Sequence, residues 1–300
     1  MFISNSHIGD AWRDLLVALY HEGRQVGPRG KGTREMLDVR LRLNDVRNNI
    51  ILDPTRNLNY RFMVAEWLYI WFGHDDVETI ARYNEQMRKF SDDGVTFNGA
   101  YGRAVQANWQ YVEALIHNDR ATRQAILNIH EHRRMKSSWD GDGRPLVSKD
   151  VPCTLSIQFF VRDEMLNTIV HMRSSDVWLG IPYDIFNFTM LANYMAARVE
   201  AEPGWLSLHL GSSHLYESNL EAAAQVIYEN KTSTLRSPPL PSKIPWWLEE
   251  VLSTGKMDSS MNIPRPGLGR DHTPWFYYGA CLTGARHQSL SMLQAMSQWP

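Results

Sequence analysis

Cysteine is scarce in this sequence. Cys153 and Cys281 are the two in 300 residues. They are too few for a disulfide framework and lack zinc-ligand spacing, so a reducing compartment is expected. No apolar run approaches the roughly 20 residues that span a bilayer; the longest, residues 62–72, is interrupted by Glu66. Residues 1–12 are mixed and polar, unlike a signal peptide. Neither sign of charge dominates: 31 Lys and Arg against 33 Asp and Glu give a formal charge of −2. Such a chain has no global field to draw nucleic acid or an anionic membrane. Repeats, low-complexity tracts and a clear linker are also missing. With 43% hydrophobic and 21% charged residues, the composition excludes collagen, coiled coil and disorder. The reading is a soluble cytoplasmic protein without membrane or nucleic-acid partners. What the chain has in quantity is aromatic side chains, Trp 11, Tyr 12 and Phe 10. They suit a deep core, an aromatic-lined pocket, or both.

Periodicity predicts helices over residues 10–21, 61–73, 76–90 and 104–117. In the first, Trp12, Leu15, Leu16 and Leu19 share a face, and Gly23 ends it. The second is apolar nearly all round, with Glu66 inside it. The period then changes to two: Leu155, Ile157, Phe159 and Val161 alternate with other residues. A polar turn at Arg162, Asp163 and Glu164 leads to a second strand ending near Met172, which reads as a hairpin. A helix is expected from about Asp184, and a strand over residues 205–210. Residues 237–247 and 263–275 are Pro-rich and read as irregular. The simplest architecture is a single α+β domain over residues 1–300, with a mixed or antiparallel sheet packed by helices.

Several tempting motifs fail. The loop Gly27-Pro28-Arg29-Gly30-Lys31-Gly32 has Gln25 and Gly32 where a Walker loop needs Gly and Ser or Thr. His130-Glu131-His132 has no evident third metal ligand. Asp140-Gly141-Asp142-Gly143 continues to Arg144 and lacks the closing Glu of a calcium loop. Gly267-Leu268-Gly269 lacks the remaining glycine of a dinucleotide fold. No metal is expected.

One region carries a specific pattern. It begins with Val151-Pro152-Cys153-Thr154, continues through Arg173-Ser174-Ser175-Asp176 with Leu179-Gly180 and Tyr183-Asp184, and closes with Gly211-Ser212-Ser213-His214-Leu215-Tyr216. In order and spacing this resembles the thymidylate synthase family, which includes the pyrimidine nucleotide hydroxymethylases. Glu66-Trp67, Asn98-Gly99-Ala100-Tyr101-Gly102 and Thr122-Arg123-Gln124 also fit. The resemblance covers about residues 27–225 and leaves residues 226–300 unplaced. It implies that family's fold, dimerised through the sheet. It also implies transfer of a one-carbon unit from 5,10-methylenetetrahydrofolate to C5 of a pyrimidine nucleotide.

The chemistry explains the residue types. C5 of an intact pyrimidine is a poor nucleophile, and a thiolate adding to C6 turns C5 into an enamine-like carbon. By resemblance Cys153 is that nucleophile, and a cationic neighbour such as Arg173 favours its thiolate; otherwise it is a buried structural cysteine. An unpartnered carboxylate inside an apolar helix is costly. Glu66 therefore reads either as a general acid/base for ring protons or as a residue facing solvent or a basic partner; the resemblance favours the first. The resemblance puts Arg173 and Ser174 on the nucleotide phosphate, with Arg29 as a further candidate. It brings Arg123 across from the second subunit of a homodimer. Arginine suits that task because its planar fork matches phosphate oxygens. His214 and Tyr216 are expected at the sugar hydroxyl, on one strand face. Tyr101 and Asp176 are expected near the folate or the reacting carbon.

Departures from the synthase pattern sharpen the expectation. Asp184 stands where enzymes acting on dUMP carry Asn. A carboxylate suits the N4 amine of cytosine and opposes O4 of uracil, as in base recognition generally; alternatively, Asp184 is the N-cap of the following helix. Thr154 stands in place of the usual His and Gln124 in place of a second Arg. The end, Ser297-Gln298-Trp299-Pro300, does not match the synthase tail that excludes water during hydride transfer. Together these lean toward a deoxycytidylate hydroxymethylase, the kind of enzyme that suits a bacteriophage with modified DNA, acting in the host cytoplasm. A methylating synthase producing dihydrofolate is the alternative. A non-catalytic nucleotide- or RNA-binding relative is the third, and it would need neither Cys153 nor Glu66.

Overall fold

The computed structural model describes residues 1–130, 138–139, 142–143, 145–146, 148–257 and 273–298. In chain order, β1 (Phe2–Asn5) leads into α1 (Ile8–Glu22), then β2 (Arg24–Val26), β3 (Thr33–Leu43) and β4 (Ile50–Leu52). Next come α2 (Tyr60–Trp71), α3 (Val77–Ala81), α4 (Tyr101–Asn118) and β5 (Ile126–Asn128). β6 (Ser138–Trp139) and β7 (Pro145–Leu146) pair with each other. The central stretch is β8 (Thr154–Arg162), β9 (Met165–Met172), β10 (Ser175–Asp176), α5 (Ile181–Arg198) and β11 (Glu202–Tyr216). The chain closes with α6 (Leu220–Glu229), β12 (Ser233–Leu235), α7 (Trp247–Thr254), α8 (Thr273–Thr283) and α9 (Arg286–Ser297).

The main sheet runs β1-β3-β11-β9-β8-β5, with β2 added to β3 and β10 to β11. It is mixed: β11 is antiparallel to β3 and parallel to β9, while β8 is antiparallel to β9 and β5. The β8–β9 hairpin turns through Asp163 (φ 51°) and Glu164 (φ 58°). Two successive left-handed residues match the twist of the strands they join. The period-two pattern puts Ile157, Phe159 and Val161 in the core and leaves Leu155 outside, 37% exposed.

Helices α1 and α5 cover the sheet, and α2 packs on α5. Trp12 of α1 is fully buried, and its indole N–H donates to the Val177 carbonyl at 2.7 Å, so the ring enters the core without an orphaned donor. α5 is buried on most of its circumference because it lies between β9, β11 and α2. This is why its sequence is apolar nearly all round. α8 and α9 pack on α2: Trp275 stacks on Trp67 with centroids 6.1 Å apart, and Tyr278 meets the same indole edge-on. Residues 273–298, which have no place in the sequence pattern, thus complete the core over α2.

The structure corrects four expectations. The single helix over 76–90 is instead α3 followed by a short 3-10 turn, Glu85–Phe90, with the chain breaking between them. The Asn84 side chain accepts from Gln86 N–H and starts the second piece. β1 and the 11-residue β3 are strands where none is expected, although Leu37, Val39, Leu41 and Leu43 alternate with Asp38, Arg40 and Arg42 in a period of two; Asp38 within β3 has φ 51°. The strand expected at 205–210 is 15 residues long and extends through Tyr216. Residues 273–275, expected to be irregular, begin α8. The patterns at 130–132, 140–143, 267–269 and the end of the chain fall wholly or partly outside the described residues.

Candidate active site

A cleft of about 180 Å³ opens between α2, α5 and the lead-in to β8. One wall is apolar, with Ile80, Met87, Phe90 and Phe97; the other carries Glu66, Tyr101, Asp184 and Asn187. These four come from three helices: α2, α4 and α5. Asp184 and Asn187 are three apart on α5 and so share a face. Glu66 comes from α2.

Cys153 sits at the entrance of β8, half-buried. The Arg173 side chain fixes this entrance: Nε donates to the Pro152 carbonyl at 3.0 Å and Nη2 to the Val151 carbonyl at 2.9 Å. Nη2 also lies 3.5 Å from Cys153 Sγ. A guanidinium there stabilises negative charge on sulfur. Arg173 thus spends much of its fork on the cysteine segment; the sequence reading puts it near the thiolate, and the structure adds its hold on the two preceding carbonyls.

Glu66 is half-buried and lines the cleft, and among the described residues no basic side chain pairs with it. The Asn187 amide donates to its Oε2 at 2.8 Å. Protein surrounds the carboxyl except toward the cleft. This burial pushes its pKa up to about 7, and the Asn187 bond offsets part of the rise. A carboxyl poised near neutrality is suited to exchange protons at physiological pH. Asn187 was missed in the sequence; its signal was a lone amide among Ile185, Phe186 and Phe188, three residues after Asp184.

Asp184 lies in the first turn of α5, and the N-cap is Gly180. The capping alternative therefore fails: its Oδ2 accepts from the Ser175 hydroxyl at 3.1 Å, not from a backbone amide. A side chain at Gly180 would meet Asp184 Oδ2 at 3.1 Å and Ser175 Oγ at 3.2 Å, so glycine there leaves room for the pair. Burial first, then the charge of Glu66, pushes the Asp184 pKa up to about 8, and Ser175 counters only in part. Both causes favour the protonated acid, whereas the sequence reading takes Asp184 as a carboxylate.

Tyr101 opens α4, with its ring against Phe188. Its hydroxyl oxygen accepts the Thr154 N–H at 3.3 Å. Burial, with Asp184 and Cys153 adding to it, holds the phenol protonated well beyond its usual range. Asp176 accepts from Trp178 N–H at 2.8 Å and Leu179 N–H at 3.0 Å through Oδ1. Its Oδ2 is buried and has no partner among the described residues. β10 sets Asp176 beside His214, and the rings of His214 and Tyr216 meet edge-on, 5.3 Å apart. Both lie on one face of β11, as alternation requires.

Three expected residues stand apart. Arg123 is exposed, and its recorded contact is a backbone one, from Gln158 Nε2 to its carbonyl at 2.9 Å. Ser174 is half-buried beside Arg173. Arg29 lies in the 3-10 turn Pro28–Gly30, and the placement of its side chain is outside the described residues. Among the described residues, no group of three or more His, Cys, Asp or Glu is arranged to hold a metal ion. No helix among them is long and apolar enough to cross a membrane. Cys281 is buried in α8, and burial raises its thiol pKa, as befits a structural residue.

The sequence was compared with known proteins. The thymidylate synthase family model matches residues 10–240. A deoxyuridylate hydroxymethyltransferase of Bacillus phage SP01 is 31% identical over 235 residues, covering 72% of this chain and 57% of that protein. A putative thymidylate synthase of Methanothermobacter thermautotrophicus is 30% identical over 229 residues, 75% of this chain and 97% of that protein. A deoxyuridylate hydroxymethyltransferase of Pseudomonas phage M6 is 33% identical over 174 residues, 56% and 48%. The chain thus spans about half the length of the two phage relatives. With the family model matching residues 10–240, more than half of the sequence, the chain belongs to the thymidylate synthase family.

Proposed function

We propose that this protein transfers a one-carbon unit from 5,10-methylenetetrahydrofolate to C5 of a pyrimidine deoxynucleotide, dCMP in preference to dUMP, and releases the 5-hydroxymethyl nucleotide. The observation that carries the reading is the set Glu66, Tyr101 and Asp184 on one cleft, with the Cys153 segment joined to it where the Thr154 N–H donates to the Tyr101 hydroxyl. Arg173 supports the Cys153 thiolate for addition to C6. Glu66 exchanges ring protons, positioned by Asn187. Asp184 faces the substituent at C4, and Ser175 orients it. The folate supplies the methylene, and the apolar wall of Met87, Phe90 and Phe97 offers a surface for flat rings. His214 and Tyr216 contact the sugar; Tyr101 and Asp176 lie toward the reacting carbon and the folate. Ser174, Arg173 and Arg29 serve the phosphate.

The protein acts as a homodimer in this reading. Arg123, exposed and not among the residues lining its own cleft, serves the partner's phosphate, and the sheet face carrying the exposed Leu37 forms the contact. A modified deoxynucleotide suits a bacteriophage that alters its DNA, in keeping with the two phage relatives.

A second reading is hydroxymethylation of dUMP, the substrate in those relatives' names. The elevated Asp184 pKa favours it, because a protonated acid can donate to O4 of uracil much as an amide does. The test combines purified protein with methylenetetrahydrofolate and each nucleotide, and identifies both products. Hydroxymethyl-dCMP with tetrahydrofolate is expected. Turnover of dUMP alone gives the second reading. A methylated nucleotide with dihydrofolate overturns hydroxymethylation and leaves the covalent step intact.

A further inference from the structure

Asp150 is a carboxylate on this cleft to which the chemistry so far gives no task. It lines the same wall space as Glu66, Tyr101 and Asp184 and lies three residues ahead of Cys153. Its Oδ2 accepts the Gly99 N–H at 2.7 Å. The described residues give Oδ1 no hydrogen-bond donor and place no cation against it. Burial, with the nearby Asp92 charge adding to it, raises its pKa above the ordinary Asp range, so it is a stronger base than a solvated aspartate.

Its position is firmly set on both sides. Toward the cysteine, Arg173 holds the next two carbonyls, Val151 at 2.9 Å and Pro152 at 3.0 Å, and the Arg173 N–H donates to the Cys153 carbonyl at 2.9 Å. Toward α4, the Gly99 backbone approaches so closely that a Cβ there would lie 2.9 Å from Asp150 Oδ1 and 3.0 Å from its carbonyl oxygen. The neighbouring loop adds a second clasp, as Asp92 accepts from Lys149 N–H at 2.9 Å and from Asn98 at 3.0 Å. A group held this way relative to the nucleophile is preorganised.

Resting on the hydroxymethylation reading above, we propose that Asp150 is the general base that delivers water to the nucleotide's exocyclic methylene. In that step the water oxygen bonds to the methylene carbon and its proton passes to the Asp150 carboxylate. The electron pair of the methylene double bond moves into the ring between C4 and C5. It then restores C5=C6 as the C6–S bond breaks and Cys153 leaves as thiolate. Nothing is oxidised or reduced, and the proton returns from Asp150 to solvent. Glu66 keeps the ring protons, and Asp184 keeps the base edge.

The test is Asp150→Asn in the full-length protein. Asparagine keeps a carbonyl oxygen for the Gly99 N–H, so the clasp survives and only the base is lost. With methylenetetrahydrofolate and dCMP, or dUMP if that is the nucleotide turned over, formation of hydroxymethyl product should fall about 100-fold or more. Formation of the covalent complex with the 5-fluoro nucleotide and the folate, which stops before water addition, should stay within about twofold of wild type. Added 2-mercaptoethanol should capture a larger share of the methylene species in the variant than in wild type. Unchanged turnover, or a loss of covalent complex in proportion to turnover, would overturn the proposal and leave Asp150 as a positioning residue. Wild-type folate product separates this from failure of the underlying reading: dihydrofolate removes both, whereas tetrahydrofolate with an unaffected variant removes only the role of Asp150.

Discussion

Raising the pH from 7 to 9 should shift nucleotide preference toward dCMP, through one carboxyl group. Burial and the neighbouring Glu66 place the Asp184 pKa at about 8. The protonated fraction therefore falls from about 0.9 at pH 7 to about 0.1 at pH 9. As an acid, Asp184 both donates and accepts, and serves either base. As a carboxylate it only accepts; it pairs with the cytosine amine and opposes O4 of uracil. The kcat/KM ratio of dCMP to dUMP should rise about tenfold across this interval, or about 1.4 kcal/mol. The assay is a competition with both nucleotides in one vessel, because the product ratio then reads the kcat/KM ratio directly. Titration of Glu66, at about 7, affects both substrates and cancels. The control is Asp184→Asn, which should favour dUMP. It should show only the pH dependence of the bases themselves, including ionisation of uracil. A wild-type ratio that parallels the variant's from pH 7 to 9 would refute the argument that the charge of Asp184 selects the base.

Stability should move in the opposite sense to that of most acidic residues. Glu66 and Asp184 have folded-state pKa values above their ordinary ones. The folded state therefore binds more protons than the unfolded one, and both groups favour unfolding increasingly as pH rises from about 4 to 8. Asp184→Asn should melt above wild type at pH 8.5 by thermal denaturation, with the gap closing by pH 4; a gap independent of pH would exclude this cause. Asn187→Ala removes the hydrogen bond that lowers the Glu66 pKa, so the limb of the kcat/KM profile near pH 7 should move upward, while an unmoved limb would assign it elsewhere. Trp275→Ala deletes a fully buried indole stacked on Trp67. It should cost about 3–5 kcal/mol in denaturant titration, and a loss below about 1 kcal/mol would mean that α8 adds little to the core.

Much of the site was legible before the fold. Cys153 stood out by the motif around it, and Glu66 by its apolar neighbours. His214 and Tyr216 came from the family resemblance, and alternation put them on one strand face. Other residues were opaque because each acts through a partner distant along the chain. Asn187 meets Glu66 across 121 positions, and Asp150 meets Gly99 across 51. Ser175, beside the expected Asp176, showed its role only once the turn into α5 brought it against Asp184. The long β3 was passed over although Leu37, Val39, Leu41 and Leu43 alternate with charged residues, and the helix over 76–90 was overextended because a local apolar period says nothing of a break that Asn84 makes.

The sequence by itself determined the local features: the hydrophobic period that makes α1, α2 and the β8–β9 hairpin, and the residue types that the chemistry needs. These are short-range properties, fixed by neighbours along the chain. The tertiary structure decided the surroundings that raise the Asp184 pKa, the bonds from Arg173 to the Val151 and Pro152 carbonyls and the place of residues 273–298 over α2. A pKa depends on the water and charges around a group in space, and packing depends on which apolar faces meet. Both arise only when distant segments come together.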